Sequence, residues 1–547
     1  MKKIFLYSLP FCLLFASCSD LLDEESYSET GKGNYLNNAK EAETVLQGVY
    51  KNLANEYTYS YHLSLLFTIS TDIAQCEGSS TTSFREIPTN SHNASTSQIS
   101  RTWQQLYSAI YDANDFIETV SDRMDGWGSS DRELAAIYLG EARALRAMFY
   151  FELVRWYGNV VLMTSTADSR KKDEDYEQSA AEDVYAYIEE DLKYAAEVLP
   201  WAVDDTKRTS NAYRFSKGAA LGLLAKVYCT WAGYPVRDES KWAEAEKVAR
   251  RVVESGKHRL ISDYETVWKN TCNGIWDAGE SLIEVSFYSP TGLDSDNTAG
   301  RIGKWNGVSA TTIDGERGRN AANWKVVYTF TRDWEAQNDP RMKLSIADYK
   351  YDHTLGSGPI TYFSTISSAN PSEDQKNRQR QLFTPGKWDT EKYVETSNYI
   401  VNNDKSNVNW YILRYSDVLL LFAEALNESG GSIVDAVDAV NAVRRRGFGD
   451  TKHDLSYGLS REDLREAIRK ERAYELCFEG HRKQDLIRWG IYYDRVMETA
   501  QELVNWYSNA NYAVARYIIK GRHELLPIPQ RDLDMMPKCK QNSGWGQ

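Results

Sequence analysis

Several groupings in this 547-residue chain could do chemistry, and most stop short of a complete set. His523-Glu524 begins like a zinc-hydrolase motif, in which two histidines four apart hold the metal, but the second position is Pro527. The seven histidines (62, 92, 258, 353, 453, 481 and 523) include no pair at helical ligand spacing. Asp294, Asp296 and Gly300 follow part of a calcium loop, whose last ligand position holds Trp305 instead of glutamate. Neither a phosphate-cradling loop with its lysine nor a nucleophile elbow is present. What stands out is aromatic: 36 Tyr and 16 Trp against 16 Phe. Tyr and Trp combine a flat apolar face with a polar handle, which suits wet binding surfaces better than dry core. The expectation is a binding protein with no catalytic residues, no metal and no cofactor.

Much of that aromatic chemistry falls in residues 260–410. Trp276, Trp305, Trp324, Trp334 and Trp388 sit there among Gly, Asn, Asp, Ser and Pro, with one strand expected over 281–288. Long irregular stretches inside a folded protein are usually functional. Helices must carry them. Apolar residues recur at three and four over 42–53, 103–120 and 134–156. Ser130-Asp131-Arg132-Glu133 and Ser179-Ala180-Ala181-Glu182 read as capping boxes, the second opening a helix that Pro200 closes. Alanine-rich helices follow over 216–232 and 241–254, and after the loop-rich stretch over 415–427, 434–446, 461–478 (opened by Ser460) and 483–504. Small residues on facing helices allow the close approach of stacked hairpins such as tetratricopeptide repeats, here without a constant period.

The N-terminus is an address. Lys2 and Lys3 precede an apolar run that is too short for the roughly 20 residues a bilayer span needs. Phe15-Ala16-Ser17-Cys18 then resembles the lipobox of bacterial lipoproteins, in which cleavage leaves an acylated cysteine; Phe15 stands where Leu is usual. The acidic run from Ser19 to Glu25 reads as a solvated tether, and also resembles a surface-export signal.

The net charge of −14 argues against nucleic acid as a partner. Cys76, Cys229, Cys272, Cys477 and Cys539 are an odd set after Cys18 and suggest no disulfide framework. The charged run Arg469-Lys470-Glu471-Arg472, with Glu475, Glu479, Arg482, Asp485 and Arg488, reads as an ion network fastening two terminal helices. Arg444-Arg445-Arg446 reads as cations at a helix C-terminus.

The C-terminal helices also carry a family resemblance. The run from Leu413 to Ala425 (LRYSDVLLLFAEA) resembles the hallmark of SusD/RagB-type nutrient-binding lipoproteins. So do Ile468-Arg469-Lys470-Glu471-Arg472, Glu479-Gly480-His481-Arg482 and Asp485-Leu486-Ile487-Arg488-Trp489, with Leu526-Pro527-Ile528-Pro529 and Asn542-Ser543-Gly544-Trp545 at the end. Glu141-Ala142-Arg143-Ala144-Leu145-Arg146-Ala147 through Tyr157-Gly158 is similar to the family's long early helix.

The resemblance implies a mainly α fold, an α-α superhelix of about four irregular tetratricopeptide-like hairpins, with a loop-rich ligand-binding portion and little β. It divides the chain into a signal peptide (1–17), an acidic tether (18–35), an N-terminal region (36–235), a variable region (260–410) and a C-terminal helical region (411–547). It implies a lipoprotein on the cell-surface side of the outer membrane, capping a TonB-dependent SusC-like barrel and capturing oligosaccharides. Peptide import is the alternative within the family; a surface-anchored glycosidase and a structural surface protein are the outsiders. Sugar rings stack C–H faces on aromatic planes while their hydroxyls seek polar groups at the rim. Two stretches offer both. Residues 78–100 contain Phe84, Arg85, Asn90 and Asn93; residues 273–324 contain Trp276, Tyr288, Asp296, Arg301, Trp305 and Trp324. Trp305 leads, because Gly303, Asn306 and Gly307 signal an exposed turn.

Overall fold

The computed structural model describes residues 35–289, 299–313, 315–355, 359–365 and 372–546. Cys18, the tether up to residue 34, and Asp294 and Asp296 lie outside the described residues. Helices carry the fold. α1 (Ala39–Lys51), α2 (Ser97–Arg123), α3 (Ser129–Tyr157), α4 (Ala181–Val198), α5 (Lys217–Trp231) and α6 (Lys241–Val253) each pack against the next in chain order. After α7 (Tyr264–Cys272) and the loop-rich stretch, α8 (Tyr415–Ser429) docks on α6, then packs α9 (Ile433–Phe448) and α10 (Arg461–Glu475). The result is a superhelix of stacked helix pairs around one continuous apolar core. Small residues set its spacing, as expected. A Cβ on Gly140 of α3 would lie 2.5 Å from Val198 at the end of α4, and one on Gly222 of α5 would lie 2.9 Å from Leu413.

The helix ends show which local signals are real. Ser216 and Ser460 each accept an amide hydrogen at an N-terminus. The two expected capping boxes do not form. α3 starts from Gly128 without a side-chain cap. At α4, Ser179 is drawn into a short strand with Val160, and Asn159 Oδ1 instead accepts the Ala181 amide at 3.0 Å. The single helix expected over 483–504 is two, α11 (Arg482–Arg488) and α12 (Tyr492–Trp506), because Gly490 takes φ +71° between them.

The strands are few, and each sheet among the described residues has two of them. β1 (Ala74–Cys76) pairs antiparallel with β3 (Trp324–Val326), and β2 (Ser281–Val285) with β4 (Trp410–Arg414). The second ladder is wholly buried and contacts α5, so it is the floor on which the loop-rich stretch is built.

Buried charge fastens that stretch to the scaffold. Arg414 donates to Glu280, Glu475 and Glu479 at 2.7, 3.1 and 2.8 Å; Arg341 donates to Asp339 and Glu475 at 2.6 and 2.9 Å and pairs with Glu471 at 2.7 Å. Burial alone would push the Glu475 carboxyl up, but Arg446, Arg414, Arg341 and Lys387 together hold it at about 2. The network is larger than the expected clasp between terminal helices, since Glu280, Arg341 and Lys387 belong to the loop-rich stretch. Arg444 and Arg446 belong to it too, pairing with Glu471 and Glu475, so they are more than partners of a helix dipole.

Candidate functional site

The loop holding Trp305 is shaped by two glycines. Gly303 takes φ +78° and its amide donates to Asn306 Oδ1 at 2.7 Å. A Cβ on Gly307 would lie 2.3 Å from the Gly303 carbonyl, so the loop closes on itself. The turn is therefore real but not exposed: Gly303, Asn306 and Gly307 are buried and Trp305 is half-buried.

Around Trp305 the chain gathers groups from four separate segments. Its ring meets Tyr61 and Phe84 with centroids 4.9 Å apart in each case, and the Arg301 guanidinium lies 5.2 Å from its centre. The indole N–H donates to Asp404 Oδ1 at 2.6 Å. Arg301 spans Glu56 and Asp404 at 2.8 and 2.9 Å and lies 4.5 Å over the Tyr61 ring. Arg85 packs 4.4 Å over Phe84 and donates Nε to the Glu77 carbonyl at 2.8 Å. Three of the six expected binding residues, Trp305, Arg301 and Arg85, are thus brought into one cluster. Aromatic planes stand beside a guanidinium and two partly exposed carboxylates, which is the pairing that a ring with apolar faces and a hydroxyl rim requires.

Tyr288 and Trp276 belong to a neighbouring groove of about 400 Å³. Tyr288, 67% exposed, lines it with Tyr50, Tyr213, Arg214 and Glu284. Trp276 stands at its edge, 6.3 Å from the Tyr213 ring. Burial pushes the Glu284 carboxyl up to about 7, and hydrogen bonds from Ser281 and Asn409 occupy both its oxygens. The groove and the cluster share one segment: Leu53 and Ala54 line the groove, while Glu56 and Tyr61 contact Arg301 and Trp305.

Trp324 is a correction. It is 3% exposed, sits in β3 opposite Cys76, and packs in the main core, out of reach of a ligand. Asn90 is also buried, donating to the Val514 carbonyl at 3.0 Å. Trp334 and Trp388 are core residues as well.

Residues 294–545 match the model of the SusD family, and residues 20–229 match a model described as starch-binding, associating with outer membrane. The crystal structure of a SusD homologue from Bacteroides thetaiotaomicron is 54% identical, covers 95% of this chain and 100% of its own, and superposes with a TM-score of 0.90. The chain belongs to the SusD family. A curated SusD-like protein, P2 of Formosa agariphila, is 26% identical over 89% of this chain and 91% of its own. Surface glycan-binding protein A from Bacteroides thetaiotaomicron, in complex with laminarihexaose, shares the fold at a TM-score of 0.69 and 20% identity, covering 92% of this chain and 99% of its own.

Within this SusD-family chain, sequence reasoning missed Tyr61, Glu56, Asp404 and Tyr213. Tyr61 had one usable signal, the aromatic-rich run from Tyr57 to His62, which leads into a π-helical turn at His62–Leu66. Asp404, in a polar turn, had none.

Proposed function

We propose that this protein is a lipid-anchored, cell-surface glycan-binding protein that captures oligosaccharides and delivers them to a SusC-like TonB-dependent transporter. The observation that carries this reading is the two aromatic groups on either side of residues 53–61, Trp305 and Phe84 packed on the buried Tyr61 at one end and Tyr213, Trp276 and Tyr288 at the other. Aromatic side chains with carboxylates and guanidinium groups beside them suit sugar residues. The glycan-binding relative and the starch-binding family model support the ligand class, and the latter's outer-membrane description supports the location. None of the described helices is long and apolar enough to cross a membrane, so acylation at Cys18 is the proposed anchor. No catalytic role is assigned: Glu284, the acid with a raised pKa in the groove, has both oxygens engaged and lies beneath the surface.

Calorimetry with oligosaccharide and oligopeptide panels tests the ligand class. Saturable binding of an oligosaccharide with no release of reducing sugar is expected. Binding of peptides alone would move the assignment to peptide import. Gentle detergent extraction and pull-down should co-purify a large barrel protein, and recovery of the lipoprotein alone would count against the transporter partnership.

A further inference from the structure

The loop that carries Phe84 and Arg85 to Trp305 continues into a second, unrelated cleft. It has a volume of about 320 Å³ and lies between Asn90–His92 and the segment from Tyr517 to His523. Arg522 lines it, with its guanidinium carbon 4.0 Å over the Trp545 ring. Among the described residues no carboxylate lies within 4.0 Å of that guanidinium, and its Nη atoms make no hydrogen bond to the protein, while Nε is buried without a partner. An unpaired arginine is unusual in a chain of net charge −14, where most of its kind find an acid.

Behind Arg522 stand two buried imidazoles and the Trp545 ring. His92 and His523 are 3% and 4% exposed, meet with centroids 5.3 Å apart, and both rest against Trp545. The Ile519 amide donates to His523 Nδ1 at 2.9 Å, which places the ring proton on Nε2, and Nε2 has no acceptor of good geometry. Lys483, 1% exposed, sits between the Trp156 and Tyr492 rings; burial pulls its ammonium down to about 7, with Glu524 opposing. Its charge and that of Arg522 add to burial in keeping both imidazoles neutral. Lys520, the other nearby cation, is already paired with Asp494. Glu524 is the acid that acts on Lys483, and its Oε2 is buried without a hydrogen-bond partner. The exposed Tyr517 ring lines its mouth.

We propose that this cleft is a second binding site, separate from the Trp305 surface, for the carboxylate of a uronic acid residue, held by Arg522 with Tyr517 beside the sugar ring. Guanidinium and carboxylate match as a planar fork, and a carboxylate would supply the partner that Arg522 lacks. The assignment rests on the glycan reading only in that a sugar carries the carboxylate.

The test titrates the full chain with sodium glucuronate, glucose and sodium sulfate, followed by calorimetry and by Trp fluorescence, for which Trp545 is the local reporter. Glucuronate should bind saturably, glucose should not, and sulfate should compete more weakly than glucuronate. Arg522→Gln should lower glucuronate affinity at least tenfold with little change in melting temperature, Arg522→Lys should restore part of it, and Trp305→Ala should leave it unchanged. Absence of saturable glucuronate binding, equal binding of glucose, or wild-type affinity in Arg522→Gln would overturn the proposal. Sulfate binding as tightly as glucuronate would overturn the assignment to a sugar. If Trp305→Ala abolishes binding of neutral oligosaccharides while glucuronate still binds, the two sites are distinct; loss of glucuronate binding alone leaves the Trp305 reading standing.

Discussion

Trp305 donates its indole N–H to Asp404 Oδ1 at 2.6 Å, although 99 residues of chain separate the two. The same carboxylate pairs with Arg301, whose guanidinium lies over both Tyr61 and Trp305. One acid therefore fixes the plane of the aromatic platform and the position of the cation beside it. A platform already held in its binding orientation loses less conformational freedom when a ligand arrives.

Asp404→Ala should expose the value of that arrangement. A hydrogen bond to a charged acceptor is worth about 1.5–3 kcal/mol, so binding should weaken by up to roughly a hundredfold if the bond is needed for orientation. Calorimetry gives the affinity and Trp fluorescence the change at Trp305. Unchanged affinity would mean that the indole is held by packing alone.

The buried ion network gives a stability prediction. Arg414→Met leaves Glu280, Glu475 and Glu479 facing one another without their shared cation. Breaking a buried pair from one side costs about 3–5 kcal/mol. Denaturant unfolding should show a loss of that order, with residues 260–410 becoming protease-sensitive first, because Glu280 ties that stretch to the scaffold.

Acid should destabilise the protein well before its depressed carboxylates titrate. Burial, with neighbouring cations, holds His62, His481 and His523 at about 3 and His92 well below its usual value. In the unfolded chain these imidazoles take up protons as pH falls through about 6.5, while the folded chain refuses them, so stability drops on acidification. Glu284 and Asp389, raised to about 7 and 6, act in the opposite sense because only the folded form is protonated there. The difference is about two protons, or roughly 3 kcal/mol per pH unit near pH 5.5. Denaturant titrations between pH 7.5 and 5.5 measure this slope, and a flat profile would show that the histidines are hydrated.

Trp324 and Trp305 look alike in the sequence, and should behave as opposites. Trp324→Ala removes a core side chain and should cost about 3–5 kcal/mol of stability. Its effect on ligand affinity, measured below the melting transition, should be small.

That contrast shows what the sequence reveals and what it hides. The helices were legible because each carries its own period, and Ser216 and Ser460 mark their starts by bonds made within one turn. Ser179 failed as a cap because Val160, from another segment, competes for its backbone. At the site, Trp305, Arg301 and Arg85 could be singled out by type and by their polar surroundings. Nothing local distinguishes Trp324 from them, since its burial depends on pairing with Cys76. Asp404 and Glu56 were invisible for the same reason: their roles exist only once Arg301 stands between them.

Glycan binding at the Trp305 surface is tested most directly by Trp305→Ala. Losing one aromatic platform costs about 1–3 kcal/mol by analogy with stacking on bases, or roughly five- to two-hundredfold in affinity. Calorimetric titration with the best oligosaccharide from the panel should show that loss, while the melting temperature changes by only a few degrees because the indole is half-buried at the edge of the core. Wild-type affinity in the variant, or a variant that does not fold, would contradict a glycan-binding role for Trp305.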